Sequence, residues 1–386
     1  MIRGARPDQR LALAGLYAGA FIGPFGGGVT VAMLPELGAS YGVASGAVAV
    51  SVTAYLLPFA ALQVVSGTLG ERWGGQRTVR VAYVAYTAAS LLCALAPTLA
   101  VFLGGRALQG VANAFTTPLL FAALASTVPP ERLGRALGWF GSMQAAGQTS
   151  APLVGGLAAE FDWRWAFAVS AVVSAALAVV GIPGRHERPE RPPALRTAWR
   201  RDVLRVGLVA AVGWGCVSGL SFLVALRLED AFALSAGSRG LVLTGLGVAG
   251  LATARLVGSG ADRIGPRRSV LIGAAVGIVV LVGVGLAPTV GLVTAAWALG
   301  GVSTQLVLVG VNLLVLRSSP VNRGGSMSLV QAIRFGGGSL APVVFTPLYG
   351  VTAAGAFLLA AVVVAVVIPI ALPPAQGPSK PSSARA

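Results

Sequence analysis

Apolar windows of about 20 residues, carrying few or no charges, recur along the whole of this 386-residue chain. Each is long enough to cross the hydrocarbon of a bilayer as a helix, and in that solvent only helices and closed barrels satisfy their own backbone. Charged residues are 10% of the chain and its mean hydropathy is +0.81, a balance that cannot clothe a soluble core in polar surface. We therefore expect an all-α polytopic membrane protein. Twelve transmembrane helices are expected near 11–34, 47–68, 79–96, 99–125, 135–158, 165–183, 203–226, 239–260, 269–287, 290–316, 326–349 and 354–372. Twelve is even, so both termini share one side of the bilayer.

Two short segments between these runs are nearly the same sequence. GTLGERWGGQRTV (67–79) and GSGADRIGPRRSV (258–270) align at an offset of 191 residues, about half the chain. The alignment superimposes Gly67 on Gly258, Glu71 on Asp262, Arg72 on Arg263, Gly74 on Gly265 and Arg77 on Arg268. A charged signature repeated in this way marks two six-helix halves related by pseudo-twofold symmetry. The expected division is an N-terminal half over 1–183, a cytoplasmic linker over 184–202, a C-terminal half over 203–372 and a disordered cytoplasmic tail over 373–386. The prolines and charges of the linker cannot bury a core.

The formal charge of +16 raises the question of nucleic acid, and its distribution answers it. With the N-terminus in the cytoplasm, 22 of the 28 basic residues fall on that side, three (Arg164, Arg227, Arg239) fall on the other and three (Arg106, Arg255, Arg334) lie within apolar segments. The positive-inside rule then places both termini in the cytoplasm. No soluble domain collects the charge, so no nucleic-acid partner is expected. Cys93 and Cys216 lie in apolar segments and read as core packing, and the single histidine, His186, lies in the linker. A membrane enzyme or metal site would need His, Asp or Glu clustered within the bilayer, so no enzyme activity, metal or cofactor is expected. Arginine outnumbers lysine 27 to 1 with heavy use of Ala and Gly, the composition of a GC-rich bacterium. The cytoplasmic (inner) membrane is the expected location.

The paired loops resemble the signature loop of the major facilitator superfamily, Gly-x-Leu-x-Asp-Arg-x-Gly-Arg-Lys/Arg, which lies between helices 2 and 3 and again between helices 8 and 9. Gly67, Leu69, Glu71, Arg72, Gly74 and Arg77 supply the first copy; Gly258, Asp262, Arg263, Gly265, Arg267 and Arg268 supply the second. The resemblance implies a cytoplasmic gate in which an acid and arginines at helix ends form a charge latch. The first copy departs from the pattern with Glu71 for Asp and with Gly75 and Gln76 where basic residues are common. In segment 4, LGGRALQGVANA (103–114) is similar to the family's Arg-x-x-Gln-Gly motif, with Arg106, Gln109 and Gly110 in register. Arg106, Asn113 and Thr117 recur with Gln109 at helical spacing on one face. A buried membrane arginine either faces a wet cavity or ties neighbouring helices together. In segment 10, Val302 takes its place. Segment 5 carries GQTSAPLVGG (147–156), which resembles the glycine and proline motif of the drug–proton antiporter branch, with Ala151 in place of its second glycine. Gly147, Ala151 and Gly155 form a small-residue stripe that admits a close neighbour, Pro152 adds a bend, and Gly156 completes the motif.

The run Gly23–Gly28 is expected to interrupt helix 1 about halfway across, with residues 214–219 as its counterpart in helix 7. Matching interruptions point to a midplane substrate cavity. Phe21, Phe25 and Trp214 would give it an aromatic wall, Gln109, Asn113, Gln305 and Asn312 polar contacts, and Arg106 and Arg334 positive charge. By the resemblance, helices 1, 4, 7 and 10 line such a cavity. No Asp, Glu or His falls well inside an expected helix; Glu36, Glu160, Asp162, Glu229 and Asp230 group at the outer ends. The expected protein is thus a monomeric secondary active transporter, partnered by the lipid bilayer and a small-molecule substrate, that exports amphipathic compounds or drugs by alternating access. Protons are the coupling ion implied by the antiporter resemblance. Uptake or exchange of a small organic anion, and a non-transporting receptor or scaffold, are the alternatives.

Overall fold

The computed structural model describes residues 7–182, 199–318 and 323–373, and all regular structure among them is helical. Twelve rods follow in the expected order. In the first half they are α1 (Pro7–Gly28, resumed as Leu34–Tyr41), α2 (Ser45–Val48 and Val50–Trp73), α3 (Gly75–Ala94), α4 (Leu99–Ala114, resumed as Thr117–Thr127), α5 (Pro130–Ala159) and α6 (Arg164–Val180). In the second they are α7 (Arg201–Gly215, resumed as Ser221–Asp230), α8 (Ala236–Ile264), α9 (Pro266–Leu286), α10 (Val290–Ser318), α11 (Arg323–Val351) and α12 (Ala353–Ala371). Nine of them are long and apolar enough to cross a membrane by length and composition; α3, α5 and α6 join them as helices only. Most of the expected linker, with His186, and all of the tail after residue 373 lie outside the described residues.

The two halves pack alike. α1 lies on α5 as α7 lies on α11, α2 on α4 as α8 on α10, and α3 on α6 as α9 on α12. Two seams join the halves, α5 against α8 and α2 against α11. Hydrocarbon supplies no hydrophobic drive between helices, so close van der Waals approach over small residues must hold them. Glycine provides it at matched positions. A Cβ on Gly110 would lie 2.1 Å from the Tyr55 carbonyl oxygen, and one on Gly301, 191 residues on, 2.1 Å from that of Leu246. Gly147 meets the Phe21 carbonyl in the same way, and Gly337 the backbone of Ala211.

The small-residue stripe of α5 is divided between two neighbours. Gly147 and Gly155 sit against the Phe21 and Val29 carbonyls of α1, whereas Gly156 meets Ala236 of α8 across the seam. Ala151 is fully buried with its methyl 3.1 Å from where a Cβ of Gly28 would stand, so Gly28 gives the room that the alanine takes. The Pro152 carbonyl lies against Gly240 of α8.

Helix 1 breaks later than its glycines suggest. The α-helix runs through Pro24 to Gly28, and the irregular stretch follows at residues 29–33, with a 3-10 turn at Val31–Met33. Pro35 explains the position: it lacks the N–H that would continue the ladder and sits at the start of the resumed helix. The counterpart in α7 is a 3-10 turn at Ser218–Leu220. A further break at residues 115–116 of α4 precedes Pro118, and α10 has no matching break.

At the signature loops the repeated glycine has a single cause. Gly74 joins α2 to α3 at φ 90° and Gly265 joins α8 to α9 at φ 84°, a region closed to side chains by steric clash. Replacing either glycine by alanine should therefore destabilise the protein by about 1–3 kcal/mol. A thermal melt in detergent would read this as a lower midpoint for Gly74→Ala and Gly265→Ala, while Gly104→Ala, whose site is open, should melt like the parent.

Candidate functional site

Aromatic side chains meet where the halves meet. Phe59 of α2 and Phe335 of α11 pack edge to face at 5.1 Å across the seam, and Trp214 of α7 packs on the other side of Phe335 at 5.3 Å. The Arg334 guanidinium lies 4.5 Å from the Phe335 ring centre and 5.4 Å from that of Trp214. A small cleft in the second half opens between Trp214, Thr304, Leu308 and Arg334. Of the expected cavity residues, Trp214 and Arg334 are thus brought together. Phe21 and Phe25 stack on each other along α1 at 5.6 Å. Gln305 lies against Gly250 at the α8–α10 contact, and the buried Oδ1 of Asn312 has no partner.

Arg106, Gln109 and Asn113 are placed elsewhere, inside the first half. Arg106 is fully buried; its Nη1 donates to Gln109 Oε1 at 2.7 Å, and Gln109 Nε2 donates to Ser90 Oγ of α3 at 2.8 Å. Its guanidinium lies 4.5 Å from the Tyr55 ring centre, and Tyr55 in turn donates to the Gly23 carbonyl of α1 at 2.8 Å. Asn113 is also buried, against Gly23, and accepts from Thr116. One arginine therefore ties α2, α3 and α4, with cation–π attraction in place of a counter-ion.

The expected gate residues stand apart. Arg72, Arg77, Asp262, Arg263 and Arg268 are exposed, and Asp262 makes no ion pair with a described residue; the Glu71 side chain lies outside the description. A Cβ on Gly258 or Gly265 would meet nothing within 4 Å, and on Gly67 only Pro118 of its own half. Among the described residues no hydrogen bond or ion pair joins the signature loops of the two halves.

The opposite end is closed by a cluster that sequence reasoning missed. Arg239, at the start of α8, is 2% exposed. Its Nη2 donates to both carboxylate oxygens of Glu36 of α1, at 2.5 and 2.6 Å, and its Nε to the Ala32 carbonyl in the 3-10 turn at 3.1 Å. Its Nη1 donates to Glu229 of α7 and to the Leu234 carbonyl, each at 2.7 Å. One guanidinium thus joins the halves while keeping a carboxylate in its own half. Beside it, the Gly237 N–H donates to Glu160 at the end of α5 at 2.7 Å. The Ser235 hydroxyl first, and then that bond, hold the Glu160 carboxyl below the usual carboxylate range. Along the other seam Thr53 donates to the Ser339 carbonyl at 2.6 Å. The sequence placed these acids and Arg239 at the outer ends of the helices but not their pairing, since Arg239 is 203 residues from Glu36.

Removing the Glu36 charge should loosen this end of the seam. A charge-assisted hydrogen bond is worth about 1.5–3 kcal/mol, so Glu36→Gln should raise the rate at which a cysteine at Thr53 reacts with an impermeant maleimide by roughly tenfold or more. An unchanged rate would show that the pair does not hold the seam.

Comparison with known proteins accords with this architecture. Residues 16–342 match the family described as Major Facilitator Superfamily. The chain is 34% identical over 153 residues to a multidrug resistance protein B homolog of Mycobacterium tuberculosis, covering 39% of this chain and 28% of that protein. It is 32% identical over 249 residues to a puromycin resistance protein of Streptomyces alboniger, covering 59% and 49%. The matches thus span less than half the length of these relatives. Among solved structures, a bacterial homolog of the human lysosomal transporter Spinster, inward-facing and unoccupied, aligns over 96% of both chains with a TM-score of 0.74 at 15% identity. A D-xylose–proton symporter aligns over 94% of this chain and 98% of its own with a TM-score of 0.71 at 14% identity. With twelve rods in two matched halves and a family match over most of its length, the chain belongs to the major facilitator superfamily.

Proposed function

We propose that this protein is a secondary active transporter that exports small amphipathic compounds by alternating access, with its signature loops and both termini in the cytoplasm. The observation that carries the reading is the asymmetry of the seam: latched at one end through Arg239 and Glu36, with no such bond among the described residues at the signature loops. On that reading the structure is a cytoplasm-facing state. An aromatic centre suits apolar bodies, since stacked and edge-to-face contacts tolerate many shapes. The names of the multidrug and puromycin resistance relatives support export of such compounds.

Turnover to the outward-facing state requires Arg239 to leave Glu36. Glu229 stays with it, so the arginine is never left without a carboxylate, which lowers the cost of parting. Glu36 then faces the outer medium and is the proposed proton acceptor, with Arg239, Glu229, Asp230 and Glu160 as the charged groups around it. This supplies the titratable site that the helix interiors lack.

In everted vesicles with an acidic lumen, a fluorescent amphipathic compound should accumulate faster than in protein-free vesicles, and an ionophore that collapses the pH gradient should abolish the difference. Equal rates with and without protein across cationic, neutral and anionic compounds would overturn the export reading. For orientation, a cysteine at Ser383 should react with an impermeant maleimide only after permeabilisation of the cell. Cys93 and Cys216 are buried and should contribute little background.

A further inference from the structure

The buried and half-buried arginines within the apolar rods meet different partners, and one of them, Arg334, meets aromatic rings alone. Arg239 holds two carboxylates, Arg205 donates to the carbonyls at the end of α12, Arg227 donates to the Ala287 carbonyl, and Arg106 is bonded to Gln109 beneath Tyr55. Arg334 makes no hydrogen bond or ion pair with any described residue, and its buried Nε has no partner. Neither α10 nor α11 contains an Asp or Glu. The side chain is half-buried and lines the small cleft of the second half beside Trp214 and Thr304, next to Phe335, which meets Phe59 across the seam.

A guanidinium in so apolar a setting is costly unless an anion or water meets its free donors. The planar fork suits a carboxylate, sulfonate or phosphate, and the rings of Trp214 and Phe335 against it fix its orientation. We propose that Arg334 is the anion-binding element of the substrate site, so that the compounds carried are amphipathic organic anions, with the acid on Arg334 and the apolar body against Trp214 and Phe335. This rests on the transporter reading above. It assigns charge selection to α11 of the second half and leaves Arg106 to hold the first half together.

The test uses three probes of one shape, 1-naphthoate, 1-naphthamide and 1-naphthylmethylammonium, titrated calorimetrically into the full chain in lipid nanodiscs. Naphthoate should bind at least tenfold more tightly than the amide, and the ammonium most weakly. Arg334→Gln should bring naphthoate to the level of the amide while leaving the amide unchanged, Arg334→Lys should keep part of the preference, and Arg255→Gln, an exposed site, should keep all of it. If Arg334→Gln does not fold, the acid-to-amide ratio of the parent and of Arg334→Lys decides. A ratio near one in the parent, a ratio that survives Arg334→Gln, or no binding by any probe overturns the proposal. Export of the ammonium without preference for the acid would leave the transporter reading and remove the anion site. An acid preference that depends on Arg334, in vesicles that move none of the three, would keep the site and remove the export reading.

Discussion

Backbone pressed against backbone is what this fold depends on. In lipid, burying apolar side chains between helices gains little over leaving them against acyl chains, so the helices are held by dense contact. The contacts that hold α1 on α5, α2 on α4 and α5 on α8 are made where glycine lets a carbonyl of the neighbour approach to the place a side chain would occupy. The same contacts recur between α8 and α10 and between α7 and α11, so each half is built on one plan.

Charge does the remaining work at the seams and centre. Arg239 holds the halves together with a carboxylate from each, in a partly buried setting where such a pair resists disruption and breaks all at once. Its Ala32 contact exists because the helix gives way to a 3-10 turn there. Arg106 uses an aromatic ring and an amide where Arg239 uses carboxylates. Arg334 lies against Trp214 and Phe335 with no acid beside it among the described residues. Three arginines in similar apolar sequence thus have three different surroundings.

Much of the architecture was legible because it is periodic or punctuated. The apolar windows had the length of membrane helices, and the paired loops repeated at an offset of 191 residues. Gly74 and Gly265 were legible as a repeated pair, and the structure gave the reason for the repeat, a positive φ that only glycine adopts without strain. The small stripe of α5 was legible as a contact face, though nothing in the sequence said that it serves α1 while Gly156 serves α8. The break in helix 1 was misplaced because glycine and a single proline are tolerated within a packed membrane helix, and it was Pro35 that ended the ladder.

What the sequence determined by itself was an all-helical membrane chain, the order of its apolar rods and the repeat that relates one part of it to the other, since each follows from local composition or from internal similarity. Which charges meet was decided by tertiary structure. Arg239 and Glu36 become partners because the α5–α8 seam brings the start of α8 onto the end of α1, and Arg334 stands alone because the helices packed around it bring no acid to it. Pairing of this kind depends on which faces come together across 200 residues of chain, and no local pattern records it.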